Sequence, residues 1–495
     1  MSKTTHPKLN AADFSAIRRA MAAIPGDVSN DAVGASVAKL EEVFAPAAHA
    51  AALDLATPVV VGARGTGKSF WSSVLGQAKT RAAAALAYPR LGLDKLEVAF
   101  GFTGIVGGED GVSVEALDSL VPRHAEAGDA KAFWWATILA AIGRATGQEP
   151  SRLKELVPVA RDWEQREALL AGYERQFQQE GRTVLVIYDA LDTVATNWPR
   201  RRVLTEALLE VAWAMRAYRC LRLKLFLRPD QIDDDALRFV ELPKLRTGAV
   251  RLQWSGIDLY GLLYARLALT IHADARSAFE KLLRSMSLPL AGQEAILKGN
   301  WSLVHDASAQ AQVMERLAGP FMGAGDFGHK KGKTYDWPIT HLGDAFDEVT
   351  PRSFLGLMIA AATQGISPED RALTPDGIRH GLRNASRTRV DQLHQEFPWI
   401  KAVLAPLAGL LLPVVEKEVF KAWKQARTVE MLREDARANN YLPPFAPEGG
   451  GERDLFEALK GIGVMLRRKD ERLDMPDLFR VAAKLLKKGA TAPLR

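Results

Sequence analysis

The sequence has very little cysteine and no long apolar run. Cys220 is the single cysteine among 495 residues, so an intramolecular disulfide and a cysteine-based metal site are both excluded. No stretch of about 18 apolar residues is uninterrupted by charge or proline, and we therefore expect no membrane span and no membrane partner. The opening residues MSKTTHPKLNAADF lack an apolar signal segment, which leads us to expect a cytoplasmic protein.

Several common site chemistries are also missing. The nine histidines are scattered without the spacing of metal ligands, and no G-x-S-x-G motif of a serine hydrolase occurs. We expect His341, Asp344 and Asp347 to share one helical face, where they would serve as surface or capping groups. We find no internal repeat of about 20–50 residues.

The composition is that of an ordinary globular protein. Apolar residues make up 47% and charged residues 25% of the chain, which excludes a wholly disordered protein or a collagen-like fibre. The formal charge of +6 permits an acidic partner such as nucleic acid, but an ordinary solvated surface explains it equally well.

Short apolar segments rich in β-branched residues predict a buried sheet. They are PVVVG (58–62), LEVAFGF (96–102), TVLVIYD (183–189), LKLFLRP (223–229) and VRLQW (250–254). Their hydrophobicity is continuous rather than alternating, as in a parallel sheet covered by helices on both faces. We therefore predict an α/β fold with a parallel sheet of about five strands.

The remaining chain is mostly helical in pattern. AADFSAIRRAMAAI and ASVAKLEEVFAPAAHAAALDL predict helices before the first strand, and helical segments fill the long interval between the second and third strands. We expect four regions: an N-terminal helical segment (1–45), a core (46–255), a helical lid (256–386) and a C-terminal helical and winged-helix-like domain (387–495).

The strongest chemical signal is a complete G-x-x-x-x-G-K-[ST] motif after the first strand. Glycines there let backbone N–H groups converge on phosphate oxygens, at the positive end of the following helix. Lys68 would reach the β- and γ-phosphates, and the Ser69 hydroxyl would bind Mg²⁺. The expected nucleotide-binding set is Gly62, Ala63, Arg64, Gly65, Thr66, Gly67, Lys68, Ser69 and Phe70.

A carboxylate ends the third strand, about 120 residues downstream. Asp189 can hold Mg²⁺ opposite Ser69, so we expect these two residues to form the metal site. Many ATPases place a water-activating Glu after this Asp, but here Ala190 follows. Asp192 could polarise the water instead, or cap the next segment; otherwise hydrolysis would be slow, which suits a switch more than a motor.

Two arginines are candidate sensors of the nucleotide. Arg228 ends the fourth strand, where it could detect the γ-phosphate or form a salt bridge to Asp230 or the acidic run that follows. Arg352 lies in the first turn of a predicted helix, where it opposes the helix dipole unless a phosphate or an ion pair stabilises it. We include Lys68, Asp189, Asp192, Arg228 and Arg352 as candidate catalytic residues.

Two further basic clusters have a functional and a simpler interpretation. The segment 200–202 (Arg-Arg-Arg) could supply an arginine finger to a neighbouring subunit, but a solvated helix start is the simpler interpretation. His329, Lys330, Lys331 and Lys333 are interpreted as part of a mobile surface loop.

The motifs GARGTGKS, VLVIYDALD, FLRPD and PRSF together resemble the STAND/AAA-like branch of P-loop ATPases over about residues 50–385. The resemblance implies an ATPase core binding ATP and Mg²⁺, a helical lid and a winged-helix domain. It also implies a protein that switches or assembles with its nucleotide state, in signalling or anti-phage defence. Ala190 departs from the pattern and puts efficient hydrolysis in doubt.

The C-terminal segment fits a winged helix. A helix begins at Leu455, two short strands are expected within 465–473, and a last helix from Pro476 is expected to carry Lys484, Lys487 and Lys488. DNA contact through residues 450–490 is one possibility, and packing on the lid or on a protein partner is the other. We expect an effector protein on another chain and consider a homo-oligomer. A DNA-remodelling ATPase and a non-hydrolysing nucleotide-bound scaffold stay as alternative functions, and the choice between ATP and GTP is open.

Overall fold

The chain folds into two units. The computed structural model describes residues 8–25, 38–104, 112–122, 126–147, 151–195, 198–233, 237–445 and 449–493. One unit is Asp27–Gln253, and the other combines Met1–Gly26 with Trp254–Arg495. Helices are numbered in chain order, and the first, α1 (Ala11–Ala22), therefore belongs with the C-terminal part of the chain.

A five-stranded parallel sheet forms the centre of the unit Asp27–Gln253, as the sequence predicts. Its strands are β1 (Val59–Val61), β2 (Leu96–Phe102), β3 (Thr183–Tyr188), β4 (Leu221–Leu227) and β5 (Val250–Arg251). The order across the sheet is β2-β3-β4-β1-β5, with every neighbouring pair parallel. This order places β4 between the strand before the glycine-rich loop and the strand that ends at Asp189.

Helices surround this sheet. They are α2 (Ala50–Leu53), α3 (Lys68–Gly76), α4 (Ala78–Ala87), α5 (Val114–Leu120), α6 (Ala127–Ala145), α7 (Leu153–Arg161), α8 (Trp163–Glu180), α9 (Trp198–Ala214), α10 (Pro229–Ile232) and α11 (Leu242–Gly248). The apolar helix α6 packs against β2 and α9. Its Trp134 is fully buried, and the indole donates a hydrogen bond to the carbonyl of Leu204 at 2.9 Å. The continuous apolar pattern of the strands is explained by this burial on both faces.

The helix predicted for ASVAKLEEVFAPAAHAAALDL is wrong over its described part. Only the short 3₁₀ turns Leu40–Glu42 and Ala47–His49 and the single-turn α2 form there. Pro46 explains the break, because it has no N–H to donate and disfavours a helical conformation in the residue before it. Residues of this run before Ala38 lie outside the described part.

The other unit is helical apart from very short strands. After α1 its helices are α12 (Gly256–Ala268), α13 (Ala273–Ser285), α14 (Gln293–Leu297), α15 (Ala307–Ala318), α16 (Asp336–Leu342), α17 (Pro351–Thr363), α18 (Pro375–Glu396), α19 (Ile400–Leu404), α20 (Glu416–Gln425), α21 (Thr428–Asn439), α22 (Glu452–Gly461) and α23 (Asp477–Arg480). Helix α18 runs continuously through residues 386 and 387, where the sequence suggests a boundary between the lid and the C-terminal domain. Helices α17 and α18 approach closely, since a Cβ at Gly381 would lie 2.3 Å from the carbonyl oxygen of Leu357.

Short strands join the C-terminal helices. They are β6 (Leu411–Leu412), β7 (Leu466–Arg467), β8 (Leu473–Asp474) and β9 (Leu486–Lys487). β7 and β8 form the hairpin that the sequence predicts, and Val414 pairs with Leu473 beside it.

The predicted helix carrying three lysines is wrong beyond Arg480. Helix α23 ends there, Lys484 has a φ of 60°, and Lys487 belongs to β9, which pairs with β6. A left-handed residue cannot continue a helix, and the backbone groups that follow it pair with a strand instead. Among the described helices, none combines the length and apolar character that crossing a bilayer requires.

Candidate functional site

The glycine-rich motif forms a tight turn between β1 and α3. Gly65 has a φ of 86° and Gly67 a φ of 100°, in the left-handed region that favours glycine. Gly67 directly precedes the first residue of α3, Lys68. Because the first N–H groups of a helix have no partner within it, this turn presents donors and a positive dipole end.

Gly62 allows the loop to close on itself. A Cβ at this position would lie 2.3 Å from the Thr66 hydroxyl oxygen and 3.3 Å from Cγ of Lys68. The Gly62 N–H donates to the carbonyl of Leu227 at 3.0 Å, which ties the loop to the end of β4. The Thr66 hydroxyl donates to the carbonyl of Ala63 at 2.8 Å. One backbone and one side-chain hydrogen bond therefore hold the loop in place.

Lys68 bends back over this loop. Its Nζ donates to the carbonyl oxygens of Gly62 at 2.6 Å and Ala63 at 3.2 Å. The ammonium lies at the N-terminal end of α3, where both the side chain and the helix dipole are positive. An anion at this end of the helix would be favoured by both.

Asp189 follows β3 and meets the first turn of α3. Its carboxylate accepts hydrogen bonds from the Ala190 N–H and the Ser69 hydroxyl and lies near the charge of Lys68. The Asp189 N–H donates to the carbonyl of Phe102 at 3.1 Å, which fixes the residue at the carboxyl end of the sheet. The structure thus brings Lys68, Ser69 and Asp189 together.

Burial dominates the electrostatics of Asp189, which is only 7% exposed. Desolvation raises the pKa of this carboxyl above its ordinary value, against the lowering by the Ala190 and Ser69 hydrogen bonds and the Lys68 charge. The negative charge of Asp192 raises the pKa further.

This donor set suits magnesium. A hydroxyl and a carboxylate oxygen are ligands that Mg²⁺ accepts, usually with water and phosphate oxygens completing its shell. A divalent cation would offset the cost of the buried Asp189 charge. Ser69 and Asp189 would hold it; within the described residues, no cluster of three or more His, Cys, Asp or Glu side chains offers a separate metal site.

The remaining residues of the predicted binding set lie on the same loop or helix. Ala63, Arg64 and Gly65 are partly buried, and Thr66 is buried. Phe70 is partly buried, with its ring 5.9 Å from that of Trp71.

Ala190 adopts a left-handed conformation, with a φ of 53°. The 3₁₀ turn Leu191–Thr193 follows and presents Asp192, whose side chain is 28% exposed. Asp192 is therefore close enough to Asp189 to influence its pKa, but its carboxylate also faces the end of β4.

Arg228 at that end is enclosed by carboxylates. Its Nε and Nη2 contact Asp230 at 3.1 and 2.9 Å, and Nη1 lies 3.3 Å from Asp192. The salt bridge to Asp230, one of the two interpretations from the sequence, is present. The Arg228 side chain is only 7% exposed, so these charge-assisted contacts are shielded from water.

Gln231 connects the ends of the two strands, a role that no pattern in the sequence predicts. Its Oε1 accepts from the Arg228 N–H at 2.9 Å, and its Nε2 donates to the carbonyl of Leu191 at 2.8 Å. This side chain is buried and fixes the Asp192 turn relative to Arg228.

The arginine cluster lies close to the Arg228 group, because the charges of Arg228, Asp230 and Asp192 all affect the pKa of Arg201, whereas Arg352 belongs to the other unit. Arg352 is in the first turn of α17, in the other unit, where it is partly buried. Arg200 forms an ion pair with Asp118 at 2.8 Å, and Arg201 donates to the carbonyl of Ala195 at 3.1 Å. Burial lowers the pKa of Arg201, and the charge of Arg228 lowers it further.

The helical face predicted for His341, Asp344 and Asp347 is wrong. Helix α16 ends at Leu342, and Asp347 has a φ of 60°. Gly343 follows the helix, and the Asp344 carboxylate accepts from the N–H groups of Phe346 and Glu348 in a turn. His341 instead stacks on Trp337 at 4.0 Å between ring centroids.

Two buried groups that contact the segment before β1 or the start of α3 were also missed by sequence reasoning. Lys224 in β4 is fully buried, and its Nζ contacts the carbonyl oxygens of Ala52, Asp54 and Thr57 at 2.7–2.8 Å. Desolvation lowers its pKa to about 7. His49 accepts from the Trp71 indole at 3.0 Å, and these contacts anchor the segment before β1. The sequence signal for Lys224 is a lysine within an otherwise apolar strand.

Comparison with known proteins adds limited information. No protein-family model matches the chain, and no curated protein matches it. The ORC2 protein of Aeropyrum pernix, solved as ADPNP and ADP complexes, is similar in structure with 13% identity and a TM-score of 0.36, covering 85% of this chain and 84% of that one. CDC6P from Pyrobaculum aerophilum has 10% identity and a TM-score of 0.28, covering 85% and 83%. Similarities this weak support no conclusion about function. The functional argument therefore depends on the residues of this chain.

Proposed function

We propose that this chain is a Mg²⁺-dependent P-loop ATPase that acts as a nucleotide-controlled switch or assembly factor. The observation that carries the proposal is the meeting of Lys68, Ser69 and Asp189 at the end of the parallel sheet. The glycine turn and the N-terminus of α3 supply donors for phosphate oxygens. Ser69 and Asp189 would hold Mg²⁺, which would supply positive charge against the charge that develops on the phosphate.

Slow hydrolysis is part of the proposal. Ala190 offers no proton acceptor after Asp189, and Asp192 shares its carboxylate with Arg228 at 3.3 Å. A water molecule would therefore be weakly activated unless Arg228 and Asp192 separate. Long occupancy by the triphosphate suits a switch, because the conformational state lasts as long as the bound nucleotide.

The switching element in this proposal is the helical region 256–386. Arg352 in the first turn of α17 opposes the helix dipole, and a phosphate would stabilise it there. If ATP and ADP bind two arrangements of this region with different affinity, the C-terminal residues 387–495 would offer a different surface to an effector protein or to another copy. A role in signalling or anti-phage defence stays an expectation from the sequence resemblance alone.

The test follows mass and phosphate release together. The full chain is incubated with MgATP, a non-hydrolysable analogue, MgADP or MgGTP, each with and without DNA. We expect slow phosphate release and a change of mass with the triphosphate that MgADP does not produce. An unchanged mass and no phosphate release under every condition would reject the switch.

The DNA-related alternative is favoured by one observation. The order β6, α20, α21, α22 and the β7–β8 hairpin, with Val414 paired to Leu473, fits a winged-helix-like domain. Turnover stimulated by DNA and lost on changing residues within 450–490 would favour a remodelling ATPase. Tight nucleotide retention without any turnover would favour the non-hydrolysing scaffold.

A further inference from the structure

The segment Phe321–Lys333, here named the lysine loop, has an organised backbone. Phe321 and Lys333 pair as an antiparallel bridge at its base. The Met322 N–H donates to the carbonyl of Gly332 at 2.9 Å, and the guanidinium of Arg379 donates to the Met322 carbonyl. Backbone pairing therefore closes the base of this loop.

Glycines make the interior of this loop compact. A Cβ at Gly328 would lie 2.5 Å from the carbonyl oxygen of Gly323, so the two backbone segments touch where only glycine fits. A 3₁₀ turn, Gly328–Lys331, follows this contact. The side chains of this turn are therefore presented from a defined backbone.

The lysine loop carries unneutralised positive charge. Lys330, Lys331 and Lys333 are all exposed, and none of them forms an ion pair within the described residues. The only carboxylate of the loop is Asp326, whose backbone carbonyl pairs with His329. Three ammonium groups are thus available to an anionic partner.

The β7–β8 hairpin is the other basic segment that could contact nucleic acid. Its arginines, unlike the lysines of the loop, form ion pairs. Arg467 contacts Glu416 at 3.1 Å, Arg468 contacts Asp474 at 3.3 Å and Arg472 contacts Asp470 at 2.6 Å. Each arginine of the hairpin would have to give up a carboxylate before it contacted a phosphate. Binding of a polyanion therefore costs less at the lysine loop.

An aromatic ring stands among the lysines. Phe327 is 70% exposed, and Nζ of Lys330 lies 4.5 Å from the ring centroid. Exposed aromatic rings beside cations are typical of surfaces that bind single-stranded nucleic acid, where rings stack on bases and cations contact phosphates. In a duplex the bases are already stacked on each other, so a ring gains little there.

We propose that the lysine loop binds single-stranded nucleic acid, with Phe327 stacking on a base and Lys330, Lys331 and Lys333 contacting phosphates. This site goes beyond the proposed nucleotide switch and does not depend on it. Changing Lys68 in the P-loop should leave the binding of a single strand by nucleotide-free protein unchanged.

The test uses the full chain and fluorescence anisotropy with a labelled oligothymidine of about 20 nucleotides and a duplex of equal length. We expect preference for the single strand and, for three phosphate contacts, a slope of about −2 in log K against log salt. The K330Q/K331Q/K333Q variant should bind at least about 10-fold more weakly with a flatter slope. F327A should bind about 5- to 100-fold more weakly with the slope unchanged.

A matched control removes the same number of charges elsewhere. Lys79, Lys95 and Lys154 are exposed in the unit Asp27–Gln253, and K79Q/K95Q/K154Q should bind the single strand like the unchanged chain. Unchanged melting temperatures show that each variant is folded.

Three results would overturn the proposal. One is the absence of binding to the single strand, and another is loss in the control variant but not in the loop variant. The third is binding of polyglutamate as tight as that of the single strand, together with unchanged single-strand binding by F327A. That result would assign the loop to an acidic protein partner instead.

Discussion

The guanidinium of Arg228 forms a bidentate ion pair with the carboxylate of Asp230, with contacts of 3.1 and 2.9 Å. A third contact joins Arg228 to Asp192 at 3.3 Å. Two carboxylates therefore compete with any phosphate for the same cation, and the cation lies beside the turn that follows the metal-binding candidate Asp189.

Asp230→Asn should strengthen the binding of ATP. The amide keeps the shape of the side chain but removes the charge that holds Arg228, so the guanidinium is available to a γ-phosphate. We expect ATP affinity to rise about 3- to 10-fold with ADP affinity unchanged, measured by competition with a labelled nucleotide. Arg228→Gln should abolish the preference for ATP over ADP. A preference kept by Arg228→Gln would show that Arg228 does not sense the γ-phosphate.

Asp192→Ala should reduce ATP turnover and spare ATP binding. If its carboxylate polarises the attacking water, loss of that group costs about 10- to 100-fold in turnover. Because Asp192 also contacts Arg228, the double variant with Arg228→Gln is needed to separate the two effects. Full turnover by Asp192→Ala would exclude a catalytic role for Asp192.

Asp189→Asn should stabilise the nucleotide-free protein at neutral pH. Burial raises the pKa of Asp189, so the folded state holds its proton more tightly than the unfolded state does. The free energy of unfolding therefore falls as pH rises from the ordinary carboxyl pKa to the raised pKa. Above the raised pKa, the cost of the buried charge is fully present. Asparagine removes that cost while keeping an oxygen toward Ser69.

We expect a melting temperature about 2–6 °C higher for Asp189→Asn at pH 7, and a difference that shrinks as pH falls toward 4. The same variant should lose the Mg²⁺ dependence of nucleotide binding. A lower melting temperature at pH 7 would contradict the electrostatic account of Asp189.

Gly62→Ala should damage the loop without unfolding the protein. The new Cβ would lie 2.3 Å from the Thr66 hydroxyl, so Thr66 and Lys68 must move. We expect nucleotide affinity to fall at least about 10-fold, because the phosphate donors lose their arrangement. Gly172→Ala in α8 is the matched control: beyond its chain neighbours and the backbone of its own helix, no atom lies within 4 Å of its Cβ position, and nucleotide affinity should not change. Equal affinities for both variants would show that the loop geometry is unimportant.

The sheet and the loop were predictable because local sequence determines them. Strands buried on both faces are continuous apolar segments, and the loop needs glycine where φ is positive. Gly67 and the strand that ends before Asp189 could therefore be found without a structure. Pro46 is also visible in the sequence, but the alanine-rich pattern around it favours a helix, and the missing backbone donor is the feature that decides the structure.

Long-range pairing could not be predicted in the same way. Lys224 contacts carbonyls about 170 residues earlier in the chain, and Gln231 joins two strand ends. The sequence also shows how many cations a segment has but not which are neutralised. Lys330 and Arg468 look equivalent as basic residues, yet in the described part of the chain only the arginine has carboxylate partners.

Calorimetric titration of the intact chain with MgATP and MgGTP tests the central claim most directly. The account predicts uptake of about one triphosphate per chain and at least about 100-fold weaker binding by Lys68→Ala, which loses a charged donor to phosphate. No uptake of either triphosphate, or equally tight binding by Lys68→Ala, would contradict it.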